Sequence, residues 1–143
     1  MRIKQILVPL DGSENSLQSL RHALDLADQC GASITGLHVV TDMSVFAAVH
    51  PIIINEEKWP RYVKGFMSDV RKIIAKSKIP FKEIVIGGKA TGYDIVTFAD
   101  SKKNAIDLIV LARRGSILPK EAIPGSTTNF VIHKSKTPVL LVR

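Results

Sequence analysis

The residues best suited to chemistry lie near the C-terminal end of the chain, where Gly115 is separated by nine residues from Gly125-Ser126-Thr127-Thr128. Ser126 is predicted to cap a helix. The first N–H groups of a helix have no intrahelical acceptor and carry partial positive charge, and glycine lets an anion approach the main chain closely. The pattern therefore predicts a site for a phosphate group, built from backbone amides and hydroxyls.

The charge distribution is consistent with an anionic ligand. Arg113, Arg114 and Lys120 lie in or beside the same segment, and the chain as a whole has a net charge of +7. Residues 89–143 hold nine basic side chains against four acidic ones, so an anionic partner is expected at the C-terminal part. On the pattern alone, Gly125-Ser126 is equally consistent with a loop end and a helix cap.

Other motifs give weaker signals. Gly87-Gly88-Lys89-Ala90-Thr91-Gly92 lacks the G-x-x-x-x-G-K-[ST] pattern of a P-loop, and we interpret it as a turn between a strand and a helix. The first strand ends without the G-x-G-x-x-G of a conventional NAD site. His38 lies within a predicted strand and is interpreted as a core or sheet-end residue rather than a general base. No catalytic or metal-binding residues are expected, because the histidines are scattered: His22, His38, His50 and His133.

Alternating strand and helix patterns predict the framework that positions these residues. Strands are predicted over residues 6–10, 33–40, 81–86, 106–111 and 139–142. Helices are predicted from the Ser13 N-cap to Gly31, over 56–76 with Pro60 in the first turn and Tyr62 facing the core, over 93–102, and over 126–133. Residues 41–55 are interpreted as a loop or short helix that folds over a neighbouring site. The elements predict an open, doubly wound, five-stranded parallel α/β sheet with helices on both faces.

The composition sets the broad class of the protein. The chain of 143 residues is 45% hydrophobic and 23% charged, which fits one ordinary domain over residues 1–143. Its single cysteine, Cys30, favours a reducing cytoplasm, and no apolar stretch approaches the roughly 20 residues that span a bilayer. Nucleic-acid binding is not expected, because aromatic residues make up only 6% of the chain.

Four segments resemble the universal stress protein family over nearly the whole chain. Residues 6–16, ILVPLDGSENS, resemble the family's opening strand and turn, and residues 37–40, LHVV, the end of its second strand. Residues 107–112, DLIVLA, are similar to its fourth strand, and residues 137–142, TPVLLV, to its last. The nucleotide-binding branch carries G-x2-G-x9-G-[ST] after the fourth strand. This chain has Gly115, Gly125 and Ser126 at that spacing, with Ala112 in place of the first glycine.

The resemblance implies a Rossmann-like fold of the adenine nucleotide alpha hydrolase type, with ATP or AMP as ligand, with or without Mg²⁺. It implies that Asp11 meets the adenine or ribose, that the backbone of Ala112 approaches the ribose, and that Arg114 takes a variable polar position on the loop. It also implies a homodimer through the last strand, Val139–Val142. The implied nucleotide-binding residues are Pro9, Leu10, Asp11, Val39, Leu111, Ala112, Arg114, Gly115, Gly125, Ser126, Thr127 and Thr128. Of these, Pro9, Val39 and Leu111 would pack near the adenine, and Gly115 and residues 125–128 would hold the phosphates.

The alanine at position 112 leaves two alternatives. If the family's glycine is left-handed, alanine costs about 1–2 kcal/mol there. If the glycine only makes room for the ribose, a methyl group fits. Three functions follow: a nucleotide-binding sensor or regulator, a slow ATP hydrolase, and a dimeric interaction module that binds no nucleotide.

Overall fold

Short apolar runs form the strands, and segments with helical periodicity form the helices between them. The computed structural model describes residues 1–41, 52–113 and 125–143. Its elements are β1 (Gln5–Pro9), α1 (Glu14–Cys30), β2 (Ser33–Val40), β3 (Ile52–Ile53), a 3-10 turn (Glu56–Lys58), α2 (Arg61–Ile74), β4 (Phe81–Gly87), α3 (Thr91–Asp100), β5 (Leu108–Ala112), α4 (Ser126–Lys134) and β6 (Val139–Val142). No helix in the described ranges is long and apolar enough to cross a membrane.

The strands form one sheet in the order β3-β4-β2-β1-β5-β6. All neighbours pair in parallel except β3, which is antiparallel to β4. The predicted open, doubly wound α/β sheet is confirmed, but the predicted number of five strands is wrong, because the described residues contain six. The additional strand is β3, at the end of a segment that we expected to be a loop or short helix. Residues 42–51 of that segment lie outside the described ranges.

Two hydrophobic cores cover the two faces of the sheet. Alternate residues of β1 point to opposite faces, so Ile6 and Val8 pack against α1 and α2, whereas Leu7 packs against α3 and α4. Helices on both faces explain why the central strands are apolar on both sides. Both cores meet at the sheet, and the chain leaves β1, β2, β4 and β5 at the carboxyl edge of this sheet.

The caps of α1 lie where the sequence predicts them. Ser13 is the N-cap, and its hydroxyl accepts a hydrogen bond from the backbone N–H of Ser16 at 3.1 Å. Gly31 ends the helix in the left-handed conformation, with φ of 68°. The Ser13 cap fixes the point at which the chain enters α1, and Gly31 fixes the point at which it leaves α1.

The second helix begins later than predicted. Residues 56–58 form a separate 3-10 turn, Trp59 and Pro60 are extended, and α2 begins only at Arg61. The residue before a proline avoids helical angles, which explains the break. The inward assignment of Tyr62 is wrong because this side chain is 51% exposed. The buried face of α2 is Val63, Phe66, Met67 and Val70.

Candidate functional site

The crevice expected for a ligand lies between β1 and β5. The chain proceeds from β1 to β2 on one side, and β5 lies on the other side, so the order of strands reverses here. Backbone pairing between β1 and β5 is recorded only at Ile6↔Leu108 and Leu7↔Ile109. Pro9 and Leu111 lie two residues beyond the last pair, at the carboxyl ends of these strands. In open α/β sheets, ligands bind at such a reversal.

The turn after β1 presents Asp11 to solvent and fixes it by local hydrogen bonds. Asp11 Oδ1 accepts from the Ser13 backbone N–H at 2.9 Å and from the Ser13 hydroxyl at 2.5 Å. The Asp11 backbone N–H faces Ser16 Oγ at 3.4 Å. Within the described part of the chain, Asp11 Oδ2 has no recorded hydrogen-bond partner. One oxygen of the carboxylate is therefore structural, and the other can accept from a ligand.

Gly12 gives this turn its shape. Its φ is +83°, a conformation that L side chains rarely adopt, and a Cβ at this position would lie 3.1 Å from Phe66 Cδ2. The close approach of Phe66 places α2 directly against the turn. Glycine is required here for both its backbone angle and its small size.

The apolar residues implied as adenine neighbours are buried in the sheet. Val39 is 6% and Leu111 5% exposed, and both belong to the core on the α3 and α4 side. Pro9 is also buried. The side chain of Leu10 lies in the opposite core, and its backbone N–H donates to Leu37 O at 2.8 Å. Leu10 thus extends the backbone contact between β1 and β2 by one residue.

Ala112 adopts an ordinary strand conformation at the end of β5. Ala105, with φ of 50°, is the only described non-glycine residue with a positive φ, so Ala112 is not left-handed. Of the two alternatives that the sequence leaves open, the strained one does not apply to this chain. The carbonyl of Ala112 accepts a hydrogen bond from the Thr128 hydroxyl at 2.8 Å.

The start of α4 differs by one residue from the prediction. Gly125, with φ of −60° and ψ of 161°, occupies the N-cap, and Ser126 is the first helical residue. The described residues provide no side-chain hydrogen bond to this cap. Asn129 N donates to Gly125 O at 2.9 Å, so the earlier amides of residues 126–128 precede the first intrahelical bond.

The structure brings part of the phosphate motif beside β5. The Thr128 side chain is buried, and its hydroxyl donates to the carbonyl of Ala112. A ligand at this helix start could therefore contact the amide of Thr128 and the side chains of Ser126 and Thr127. Gly125 N donates to Arg113 O at 3.0 Å. Arg114 and Gly115, like Lys120, lie outside the described residues.

The glycine-rich turn after β4 has a structural role. Asp94, only 2% exposed, accepts hydrogen bonds at Oδ2 from Lys89 N at 2.9 Å and Ala90 N at 3.0 Å. A Cβ at Gly88 would lie 2.1 Å from the same oxygen. The interpretation as a turn between strand and helix is confirmed, because a buried carboxylate already occupies these amides.

His38 is a core residue, as interpreted from the sequence, but it contacts the turn after β1. Its Nδ1 lies 2.7 Å from Leu10 O, and its Nε2 lies 3.2 Å from the hydroxyl of Tyr62. Sequence reasoning missed this link. The signal was the parallel pairing of the two strands, which places residue 38 beside residue 10. Among the described residues, no group of three His, Cys, Asp or Glu side chains is arranged to hold a metal ion.

Comparisons with known proteins place these features in a family. The model of the universal stress protein family matches residues 2–143. The chain is 31% identical over 150 residues to universal stress protein YxiE of Bacillus subtilis, covering 97% of this chain and 98% of that protein. It is 29% identical over 148 residues to universal stress protein MJ0531 of Methanocaldococcus jannaschii, covering 98% and 82%.

Solved structures share the fold over the full chain. UspA of Lactobacillus plantarum superposes with a TM-score of 0.75 at 25% identity, covering 100% of this chain and 99% of that one. A universal stress protein from Archaeoglobus fulgidus in complex with dAMP gives 0.71 at 23% identity, covering 100% of both chains. A universal stress protein in complex with cAMP gives 0.72 at 19% identity, covering 100% and 98%. By the match of the family model and the relatives in sequence, this chain belongs to the universal stress protein family.

Proposed function

We propose that this protein belongs to the nucleotide-binding branch of the family and binds ATP or AMP at the carboxyl edge of the sheet. The proposal rests on the first turn of α4, whose N-cap receives no side-chain hydrogen bond from the described residues. This turn is joined to β5 by the hydrogen bond from the Thr128 hydroxyl to the Ala112 carbonyl at 2.8 Å. The amides of residues 126–128 precede the first intrahelical hydrogen bond and carry partial positive charge. They can therefore donate to a phosphate.

The phosphate end of the ligand would contact Gly125 and the first turn of α4. Gly125 has no side chain to block the amides, and the hydroxyls of Ser126 and Thr127 supply further donors. Thr128 would contribute its backbone N–H, because its hydroxyl is used within the protein. We assign Arg114 and Gly115 to the same end of the ligand from the motif spacing alone.

The nucleoside end would contact the strands. Asp11 Oδ2 is placed to accept a hydrogen bond from a sugar hydroxyl, as acidic residues do in related nucleotide folds. The backbone of Ala112 would approach the ribose, with its methyl group accommodated in the ordinary strand conformation. Pro9, Val39 and Leu111 would form the apolar surroundings of the adenine, while Leu10 keeps the end of β1 in place.

The neighbouring structures support this choice of ligand class. The complexes with dAMP and cAMP are complexes of other proteins with the same fold, and both ligands contain an adenine, a sugar and a phosphate. Mg²⁺ would accompany ATP as an ion held mainly by the ATP phosphates and by waters, because the free oxygen of Asp11 is assigned to the sugar. We propose a sensor or regulator rather than a fast enzyme. Asp11 is the single carboxylate among the proposed contact residues, and none of the others is a second carboxylate or base that could activate a water for ATP hydrolysis.

The decisive experiment compares two substitutions at Gly125. Aspartate and serine are both favourable N-caps at φ of −60°, so we expect both variants to be at least as stable as the parent. Gly125→Asp places a negative charge and a competing acceptor at the proposed phosphate position, and we expect it to lower ATP and AMP affinity at least tenfold. Gly125→Ser is the uncharged control: its hydroxyl also competes for an amide but carries no charge, so we expect it to lose clearly less affinity than Gly125→Asp.

The measurement is isothermal titration calorimetry with ATP, AMP and cAMP, with and without Mg²⁺, supported by the shift in melting temperature. Ligand at 100 times its dissociation constant would add about 2.7 kcal/mol to stability. No heat and no shift with any of these nucleotides would contradict the proposal. If both variants kept the affinity of the parent, α4 would be excluded from the site.

We further propose that residues 1–143 form one domain, that it acts in the cytoplasm and that it forms a homodimer through β6. Cys30 is an exposed free cysteine, which is compatible with a reducing compartment. The dimer proposal is supported by the position of β6 at the edge of the sheet and by Leu140, which is 43% exposed there.

A further inference from the structure

We propose that His38 is a positioning residue that holds the turn after β1 in the conformation in which Asp11 faces the ligand. The inference rests on the proposed function, because it concerns the geometry of the same nucleotide site. It extends that function to a residue on the α1 and α2 side of the sheet, outside the set of proposed ligand contacts.

Backbone pairing between β1 and β2 ends beside His38. The register between β1 and β2 runs to Pro9↔Leu37, and Leu10 N then donates to Leu37 O at 2.8 Å. The carbonyl of Leu10 meets the imidazole of His38 at 2.7 Å. A carbonyl can only accept, so His38 Nδ1 carries the proton, and a side chain replaces the backbone donor at the end of the ladder.

The peptide group between Leu10 and Asp11 is held at both ends by side chains. The Leu10 carbonyl and the Asp11 N–H belong to one planar unit. His38 donates to the carbonyl end at 2.7 Å, and Ser16 Oγ faces the N–H end at 3.4 Å. With contacts at both ends, this peptide plane cannot rotate freely. The direction in which the Asp11 side chain leaves the backbone is therefore fixed.

Side chains of α2 hold the imidazole of His38 in place. His38 is 7% exposed and meets the ring of Phe66 edge to face, with centroids 5.0 Å apart and planes at 72°. In the neutral ring with a proton on Nδ1, Nε2 accepts from the Tyr62 hydroxyl at 3.2 Å. The same Phe66 ring lies 3.1 Å from the position of a Cβ at Gly12. Helix α2 thus contacts both His38 and the turn that His38 holds.

The test uses two substitutions of similar shape. Asparagine places an amide nitrogen as many bonds from Cβ as Nδ1 and retains a donor for Leu10 O, whereas leucine has the same branching without a donor. We expect His38→Leu to weaken AMP and ATP binding about tenfold, the equivalent of one lost hydrogen bond, and His38→Asn to stay within about threefold of the parent. Affinities are measured by calorimetry well below the melting temperature of each variant.

A second readout does not require a ligand. In ¹H–¹⁵N spectra, we expect the amide signals of residues 11–13 to shift in His38→Leu and to stay near the parent positions in His38→Asn. If His38→Leu does not fold, His38→Gln replaces it, because its amide lies one bond further from Cβ and matches Nε2 rather than Nδ1.

The outcomes separate the two proposals. If the parent protein binds no nucleotide, the proposed function fails, and the spectra alone decide whether His38 holds the turn. If the parent binds but the leucine and asparagine variants bind equally well, the inference about His38 is overturned while the proposed function stands. Asparagine rescue of both affinity and amide signals supports it, because a merely space-filling role would favour leucine.

Discussion

Gly12 and Gly31 share a left-handed backbone but differ in their surroundings. The φ values are +83° and +68°, and a Cβ at Gly31 would meet no atom within 4 Å, whereas one at Gly12 would meet Phe66 at 3.1 Å. The cost of a side chain at Gly31 is therefore conformational only. At Gly12 the displacement of an aromatic ring is added to it.

Alanine substitutions at these two glycines separate the two costs. We expect Gly31→Ala to lower the free energy of unfolding by about 1–2 kcal/mol, the cost of the left-handed conformation. Gly12→Ala should lower it further, because Phe66 must move. Urea unfolding measures both values. Gly65→Ala in α2 is the control: a Cβ there also meets nothing within 4 Å, and alanine should stabilise the protein by about 0.5–1 kcal/mol because the residue is helical. Equal losses at Gly12 and Gly31 would show that contact with Phe66 has no energetic weight.

At this scale the sequence predicted residue types better than their contacts. Ser13 and Gly31 could be assigned as caps because capping chemistry depends on a few adjacent residues. Ala112 could not be judged, since its backbone angle depends on where β5 ends. His38 could be placed in the core but not beside Leu10, because that contact joins two strands and requires their register.

Among the elements, Asp100 joins the end of α3 to the connection between α4 and β6. Its Oδ1 accepts from Thr137 N at 3.0 Å, from the Thr137 hydroxyl at 2.9 Å and from the Ser135 hydroxyl at 3.2 Å. Its Oδ2 accepts from Lys136 N at 3.0 Å. Burial opposes ionisation of this carboxyl, but the hydrogen bonds from Lys136, Thr137 and Ser135 outweigh it and hold the pKa of Asp100 below its ordinary value of 3.8.

This lowered pKa predicts an acid-dependent contribution to stability. Because the folded state favours the carboxylate, the contribution is complete above the ordinary pKa of 3.8 and is lost as the pH falls through the lower pKa of the folded state. We expect Asp100→Asn to lower the free energy of unfolding by about 1–3 kcal/mol at pH 7, with a smaller difference from the parent below about pH 4. Urea unfolding from pH 2.5 to 7 measures it. Asp28→Asn, at an exposed position of α1, is the control, and a loss for Asp100→Asn that does not change with pH would contradict the assignment.

Elements with long, uniform patterns were predictable, and short ones were not. The bounds of β2 agree with the prediction because apolar and β-branched residues recur along its eight residues and Gly31 separates them from α1. The strand β3 has only two residues, too few to show alternation, and forms because β4 offers an edge. The late start of α2 reflects Trp59 and Pro60, where a local restriction on backbone angles interrupts a longer helical pattern.

For the whole molecule, the two edges of the sheet differ in character. One edge is β6, parallel to its neighbour, and the other is β3, antiparallel to β4. Leu140 is 43% exposed on β6, and Ile53 is 65% exposed on β3. Apolar residues on an edge strand favour pairing with another chain, and a lysine on the edge opposes it.

The proposed dimer predicts different results for lysine at the two edges. We expect sedimentation velocity at micromolar concentration to show the parent at twice the 15.7 kDa chain mass. Leu140→Lys should shift it to monomer, because a charge would be placed in the interface. Ile53→Lys carries the same change at the opposite edge and should remain dimeric. A monomeric parent, or dissociation by Ile53→Lys alone, would exclude β6 as the interface.

The backbone N–H of Gly125 donates a hydrogen bond to the carbonyl of Arg113 at 3.0 Å. This contact holds together the two residues on either side of 114–124. Each doubling in length of a stretch between fixed ends costs only about 0.6 kcal/mol in closure entropy. We therefore expect a change in the number of residues between Arg113 and Gly125 to cost little stability and to leave the register of β5 with its neighbours unchanged. Under the proposed function, such a change would alter the phosphate end of the ligand site, while the nucleoside end, formed by the strands, would stay in place.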